Sequence, residues 1–212
     1  MRNICLLIIA VLVAGAGVVA NGSSGAAGTV AAQLAQAEPW SDDRSLGAAD
    51  APVTMIEYAS LTCPHCASFH KETLPRLMEE YIDTGKVKLI YRDFPFDELA
   101  LRAAMMARCA EPARFFGLIE VLFRGQDHWS RAKDPMAALR RIGRMAGMSN
   151  EKFDACMADR KVEVAILGGR LKAAREQEVN STPTFFINGH KVAGNQPYEV
   201  FDEILRSLVP DS

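Results

Sequence analysis

The sequence predicts an α/β protein in which a sheet-forming domain is interrupted by an all-helical insertion. Two observations carry that prediction. Residues 53–60, 85–94 and 184–187 are apolar, β-prone runs bounded by proline, glycine and asparagine, whereas the long stretch 97–160 is rich in strong helix formers punctuated by proline. Charge then narrows the partners. With 24 basic and 26 acidic residues among 212, the net charge is −2, and no basic run or stripe offers a footprint for nucleic acid. No internal repeat is evident.

At the N-terminus, Met1-Arg2-Asn3 is a short positive start and the stretch 4–20 is apolar apart from small residues. That pattern resembles a secretory signal or a short membrane anchor, so export is expected. Residues 1–37 are therefore read as a signal peptide or signal anchor followed by a low-complexity Gly/Ala/Ser linker. Cleavage after Ala37 leaves Glu38 as the mature start, and an uncleaved anchor is the competing expectation. Cys5, inside this segment, lacks the small-residue context of a lipoprotein cysteine.

The run 53–60 is expected to be a buried strand that delivers a helix start at Cys63-Pro64-His65-Cys66. Two cysteines with two residues between them can close a small, easily opened disulfide. On a helix's first turn, unpaired N–H groups and the partial positive charge favour a thiolate at Cys63, while Cys66 waits within bonding distance. Pro64 suits a position whose N–H has no partner in any case. His65 can add charge or a hydrogen bond beside the sulfur. Half of a zinc site is the alternative, but no second Cys or His pair stands at short spacing, so neither a metal nor another cofactor is expected. Glu57 is the odd residue of the strand. A carboxylate there is paired, at a sheet edge, or a proton acceptor, and Lys88 or Arg92 of the next strand are candidate partners.

Residues 85–94 read as a second strand, ended by Pro95. Within 97–160, Pro112 and Pro135 separate helices, and Cys109 and Cys156 lie on different ones. They either pair or stand as two buried thiols. Export favours pairing, because disulfides persist outside the reducing cytosol and four cysteines remain once Cys5 is set aside. His128-Trp129 is read as packing, and Arg140, Arg141 and Arg144 as a solvated face. Residues 161–178 form an amphipathic helix. The segment 180–190 follows as a Thr-Pro bend at Thr182-Pro183, an apolar strand and an Asn188-Gly189 hairpin turn that also accounts for His190. Residues 197–208 make a closing helix.

A strand ending in Cys-x-x-Cys, with Thr-Pro-Thr before a distant strand and hairpin, resembles the thioredoxin superfamily. Cys-Pro-His-Cys resembles its DsbA family of exported thiol oxidases, over residues 53–208. The resemblance implies a thioredoxin-like domain formed by 38–96 and 161–212, with 97–160 as the inserted helical subdomain. It also implies that Pro183 is cis and lies against the active disulfide, that Thr182 and Pro183 present backbone to an extended substrate, and that Glu57 moves a proton on or off Cys66. An additional Cys109–Cys156 bridge resembles a subset of these proteins.

The expected function is that of an exported thiol:disulfide oxidase donating the Cys63–Cys66 disulfide to folding proteins, in the periplasm or another extracytoplasmic space, either free after cleavage or tethered by an uncleaved anchor. The expected partners are thiol-containing exported proteins and a membrane reoxidase, with the protein itself a monomer. A reductase or isomerase of the same fold shares every catalytic residue. A chaperone or binding module using the groove beside Pro183, or a small-molecule transferase, is the remaining alternative.

Overall fold

The computed structural model describes residues 43–210. The expectations for 1–37, Cys5 included, lie outside the described residues. Five strands form one mixed sheet in the order β1-β3-β2-β4-β5, comprising β1 (Arg44–Leu46), β2 (Val53–Ala59), β3 (Val87–Asp93), β4 (Thr184–Ile187) and β5 (His190–Ala193). β2 and β3 run parallel, and the other neighbours antiparallel. The edge strand β1 was not legible in the sequence, being three residues long with a charged residue at its start.

Alternation explains the sheet's two faces. Val53 and Met55 of β2, Leu89 of β3 and Phe185 of β4 pack one face against helix α1 (residues 64–82) and α8 (Tyr198–Leu208), around Phe69 and Phe201. Ile56, Tyr58 and Phe186 point to the other face, toward α7 (Arg160–Glu176). α1 is not a regular helix. Wide π turns at Phe69–Thr73 and Met78–Ile82 alternate with α turns at Pro64–Ser68 and Leu74–Leu77.

Between β3 and α7 lie α2 (Glu98–Cys109), a 3₁₀ turn (Pro112–Arg114), α3 (Phe115–Arg124), α4 (Gln126–Ser130), α5 (Pro135–Met145) and α6 (Asn150–Met157). Their starts are written locally. Asp97, Asp134, Ser149 and Asp159 each accept a hydrogen bond from the first turn of α2, α5, α6 and α7, and Pro135 opens α5. The apolar core of these helices is continuous with the start of α1, since Cys66, Ala67 and Tyr91 belong to the same cluster as Met106, Leu122 and Trp129. The insertion therefore closes over the cysteine helix. The β4–β5 hairpin turns at Asn188 and Gly189, with φ of 44° and 90°, values that favour this pair of residues. Asn188 Oδ1 also accepts from Thr54 N at 2.9 Å, tying the turn to β2.

Candidate active site

β2 runs straight into the site. The chain turns at Ser60, whose carbonyl accepts from Cys63 N at 3.0 Å, and Cys63 caps the N-terminus of α1 with Pro64 at its first position. Cys63 is half-buried, Pro64 and His65 are exposed, and Cys66 is fully buried, both thiols being free. Thr182 and Pro183 arrive from the far side of the sequence. Their peptide bond is cis, and the Thr182 carbonyl accepts from Cys63 Sγ at 3.3 Å.

The two sulfurs are driven apart electrostatically. Cys63 is lowered from 9.0 to about 5, first by a hydrogen bond from Cys66, then by the Thr182 side chain and by the backbone N–H groups of Cys66 and His65, against the cost of burial. Burial instead pushes the Cys66 thiol well above its ordinary value, helped by its bond to Cys63 and by the charge of Glu57. One sulfur is thus a thiolate at neutral pH while its neighbour keeps its proton. His65 contributes through its backbone, and its imidazole faces solvent.

Glu57 is completely buried in β2, the central strand, which excludes the edge-residue expectation. The expected pairing with Lys88 or Arg92 is corrected as well. In the parallel register Glu57 stands opposite Tyr91, whereas Lys88 and Arg92 stand opposite Thr54 and Tyr58 and so occupy the other face. Arg92 reaches Asp43 at 2.9 Å and the Tyr58 hydroxyl at 2.9 Å. The partner of Glu57 is His70, whose Nε2 lies 3.1 and 3.0 Å from the two carboxylate oxygens. A signal for this existed in the sequence, because His70 is one helical turn beyond Cys66 and so shares its face. The Tyr91 hydroxyl is buried in the same neighbourhood without a hydrogen-bond partner, and burial raises that phenol well above its usual range.

Gln126 was missed altogether. From α4 its buried side chain donates to the carbonyls of Leu61 at 2.8 Å and Cys63 at 3.0 Å, pinning the reactive turn to the insertion. No local pattern marks it, since it is 65 and 63 positions from its partners. Cys109 and Cys156 are joined by a disulfide with Cα atoms 6.1 Å apart, linking α2 to α6. Trp129 is buried with its indole N–H on the Leu122 carbonyl at 2.8 Å, and His190 is exposed on β5.

The Thioredoxin family model matches residues 41–207. A Rickettsia bellii protein, provisionally named a protein-disulfide oxidoreductase, is 32% identical over 149 residues, 70% of this chain and 58% of that protein. Its Rickettsia conorii counterpart is 33% identical over 149 residues, covering 70% of this chain and 54% of its own length. The chain therefore spans little more than half the length of these relatives. Among solved structures, Wolbachia pipientis alpha-DsbA1 superposes with a TM-score of 0.74 at 32% identity, over 83% of this chain and 94% of that one. Oxidised BdbD from Bacillus subtilis, at 21% identity, shares the fold with a TM-score of 0.66 over 78% of this chain and 91% of its own.

Proposed function

The chain belongs to the thioredoxin superfamily, in its DsbA-like family of thiol–disulfide oxidoreductases, and on that premise we propose that it works as an oxidase, donating a Cys63–Cys66 disulfide to exported proteins as they fold. The observation that carries this reading is the split between the two sulfurs, Cys63 lowered to about 5 and Cys66 pushed up. A pair whose reduced form holds a stabilised thiolate gives up its disulfide readily.

In the proposed cycle a substrate thiolate attacks Cys63 Sγ, the more exposed sulfur. The Cys63–Cys66 bond breaks, and Cys66 leaves as a thiolate that takes up a proton. A second substrate thiolate then attacks the substrate sulfur of the mixed disulfide and expels Cys63 as a thiolate, a good leaving group because of its low pKa. The substrate is oxidised by two electrons and the pair reduced by two. Thr182 and Pro183 offer backbone beside Cys63 for an extended substrate segment. Glu57 is the proton acceptor and donor for Cys66, and a membrane-bound, quinone-linked reoxidase restores the disulfide. The protein acts as a monomer outside the cytoplasm, held there as a cleaved product or through its N-terminal anchor.

A glutathione redox titration of the intact protein tests the direction, with the state of Cys63 and Cys66 read by alkylation and mass. The expected potential lies nearer the about −120 mV of a strong oxidant than the about −270 mV of thioredoxin. A value at the thioredoxin end sinks the oxidase reading and makes this a reductase.

A further inference from the structure

His70 takes no part in the cycle above, yet it is buried against its one titratable neighbour in the strand. Its Nε2 meets both oxygens of Glu57. The ring stacks on Phe123 of α3, with centroids 4.1 Å apart, and His70 is one of the residues lining a 220 Å³ cavity between α1 and α3. Leu74, Phe116 and Ile119 line that cavity. Glu120 and Arg124, also on its wall, are largely exposed and paired with each other at 2.8 Å, so the cavity reaches the surface. None of the residues around Cys63 lines it.

The chemistry needs such an opening. When the reduced pair is reoxidised, Cys63 is bridged to an oxidant's sulfur, and Cys66 must lose its proton before it can attack. Cys66 is fully buried beneath that bridge, and Glu57, completely enclosed, has no surface open to bulk solvent.

We propose that His70 is the proton outlet of the site, relaying the Cys66 proton from Glu57 to water in the cavity between α1 and α3. The inference rests on Glu57 being the proton acceptor of the proposed cycle. With neutral His70 carrying its hydrogen on Nδ1, the Glu57 carboxyl gives its proton to Nε2 while Nδ1 releases its own to water. The net change is one proton moved from Cys66 Sγ to solvent, with His70 left carrying its hydrogen on Nε2. The Cys66 thiolate then attacks Cys63 Sγ, forming the internal disulfide and expelling the oxidant's thiolate. Run in reverse, the path returns a proton to Cys66 when the disulfide is spent.

The titratable and charged groups around the ring are few. Glu57 faces it from β2 and Tyr91 from β3, with ring centroids 6.1 Å apart, while Glu120 and Arg124 of α3 line the same cavity as an ion pair. Cys66 shares its own helix face. His70 is thus a positioning and relay residue that acts on the sulfur through Glu57.

The test is ring closure in the full-length protein. Reduced protein is mixed with excess oxidised glutathione, and conversion of the mixed disulfide to the internal disulfide is followed by acid quench and alkylation. His70→Ala is expected to close about tenfold more slowly at neutral pH, less than the roughly 10²-fold floor for a group touching the reacting atom. Imidazole, entering the enlarged cavity, should restore the rate, and substituted imidazoles should do so in order of basicity. His70→Gln, which keeps a hydrogen bond to Glu57 without a basic ring nitrogen, should be as slow. Should the alanine variant not fold, the glutamine variant decides alone. Wild-type closure in either variant, or slow closure of His70→Ala that no imidazole restores, overturns the relay. The assay does not depend on which way electrons flow in cells. A reducing potential would therefore sink the oxidase reading while the relay is still measured, and failure of the relay would leave the oxidase reading standing.

Discussion

The molecule holds two pairs of cysteines in one apolar cluster, and they have opposite characters. Cys66 and Cys156 are both buried members of that cluster, with Cys63 and Cys109 packed at its margin. Burial therefore does not separate the pairs. What separates them is the company each sulfur keeps. Cys63 caps a helix N-terminus and receives hydrogen bonds from a thiol and two backbone N–H groups, which hold it as a thiolate. Cys109 ends α2 and Cys156 lies near the end of α6, both at the C-terminal end of a helix. Their bond closes a separation of 47 residues and ties two helices that are also joined by the Arg102 guanidinium, which donates to the Met157 carbonyl at 3.2 Å. Redox character in this chain is set by the donors aimed at a sulfur, and a structural bond by the length of chain it closes.

The largest effects should fall on different measurements for the two pairs. Cys63→Ser should abolish thiol exchange with glutathione and leave the fold intact. Replacing Cys109 and Cys156 together by alanine should leave exchange within about twofold, but cost up to about 4 kcal/mol of stability, the chain-entropy value for a loop of this length. Urea unfolding with single-turnover exchange on the same samples separates these outcomes. If the double alanine variant lost exchange while keeping its unfolding midpoint, the division of labour between the pairs would be wrong.

A smaller effect sharpens the electrostatic half of the comparison. Cys63 titrates at about 5 in the folded protein against 9.0 for an ordinary thiol. Its alkylation by iodoacetamide should therefore rise through a midpoint near pH 5, with Cys66 unreactive across the same range. The linkage has a definite sign. Between the two values the unfolded chain binds more protons at Cys63, so the stability of the reduced protein gains from this group as pH rises from about 5 toward 9, and loses it as pH falls through about 5. Unfolding free energies of reduced wild type and Cys63→Ser, compared from pH 5 to 9, should diverge with pH. A parallel pair of curves would mean that the thiolate is not held by the fold.

How much of this was legible beforehand follows from the range of each interaction. The strand before Cys63, the Thr-Pro bend and the Asn-Gly hairpin are written in neighbouring residues, so a local reading reaches them. The position of Pro183 beside Cys63 came from the resemblance of the motifs, since nothing in the spacing brings those residues together. The register of β3 against β2 is not local, and it decided the partner of Glu57. Lys88 and Arg92 are the right chemistry on the wrong face, while His70 stands at helical spacing from Cys66. β1 and Gln126 carry no periodic signal, and only the packed insertion shows what Gln126 does.

Gln126 also gives the finest test of the comparison, because it is where the region that holds the structural bond grips the region that holds the reactive pair. Its amide donates to the Leu61 and Cys63 carbonyls from within the closed interface. Gln126→Leu keeps most of the volume and removes both donors, leaving buried carbonyls short of a partner. The expected cost is about 1–2 kcal/mol of stability, the scale of an unmade buried hydrogen bond. The turn that aims the His65 and Cys66 N–H groups at Cys63 should loosen with it. The alkylation midpoint of Cys63 should then move upward by a small fraction of the shift the site imposes, while the Cys109–Cys156 bond stays formed. A loss of stability with an unmoved midpoint would show that the donors around Cys63 are held by α1 alone, and that the insertion covers the site without tuning it.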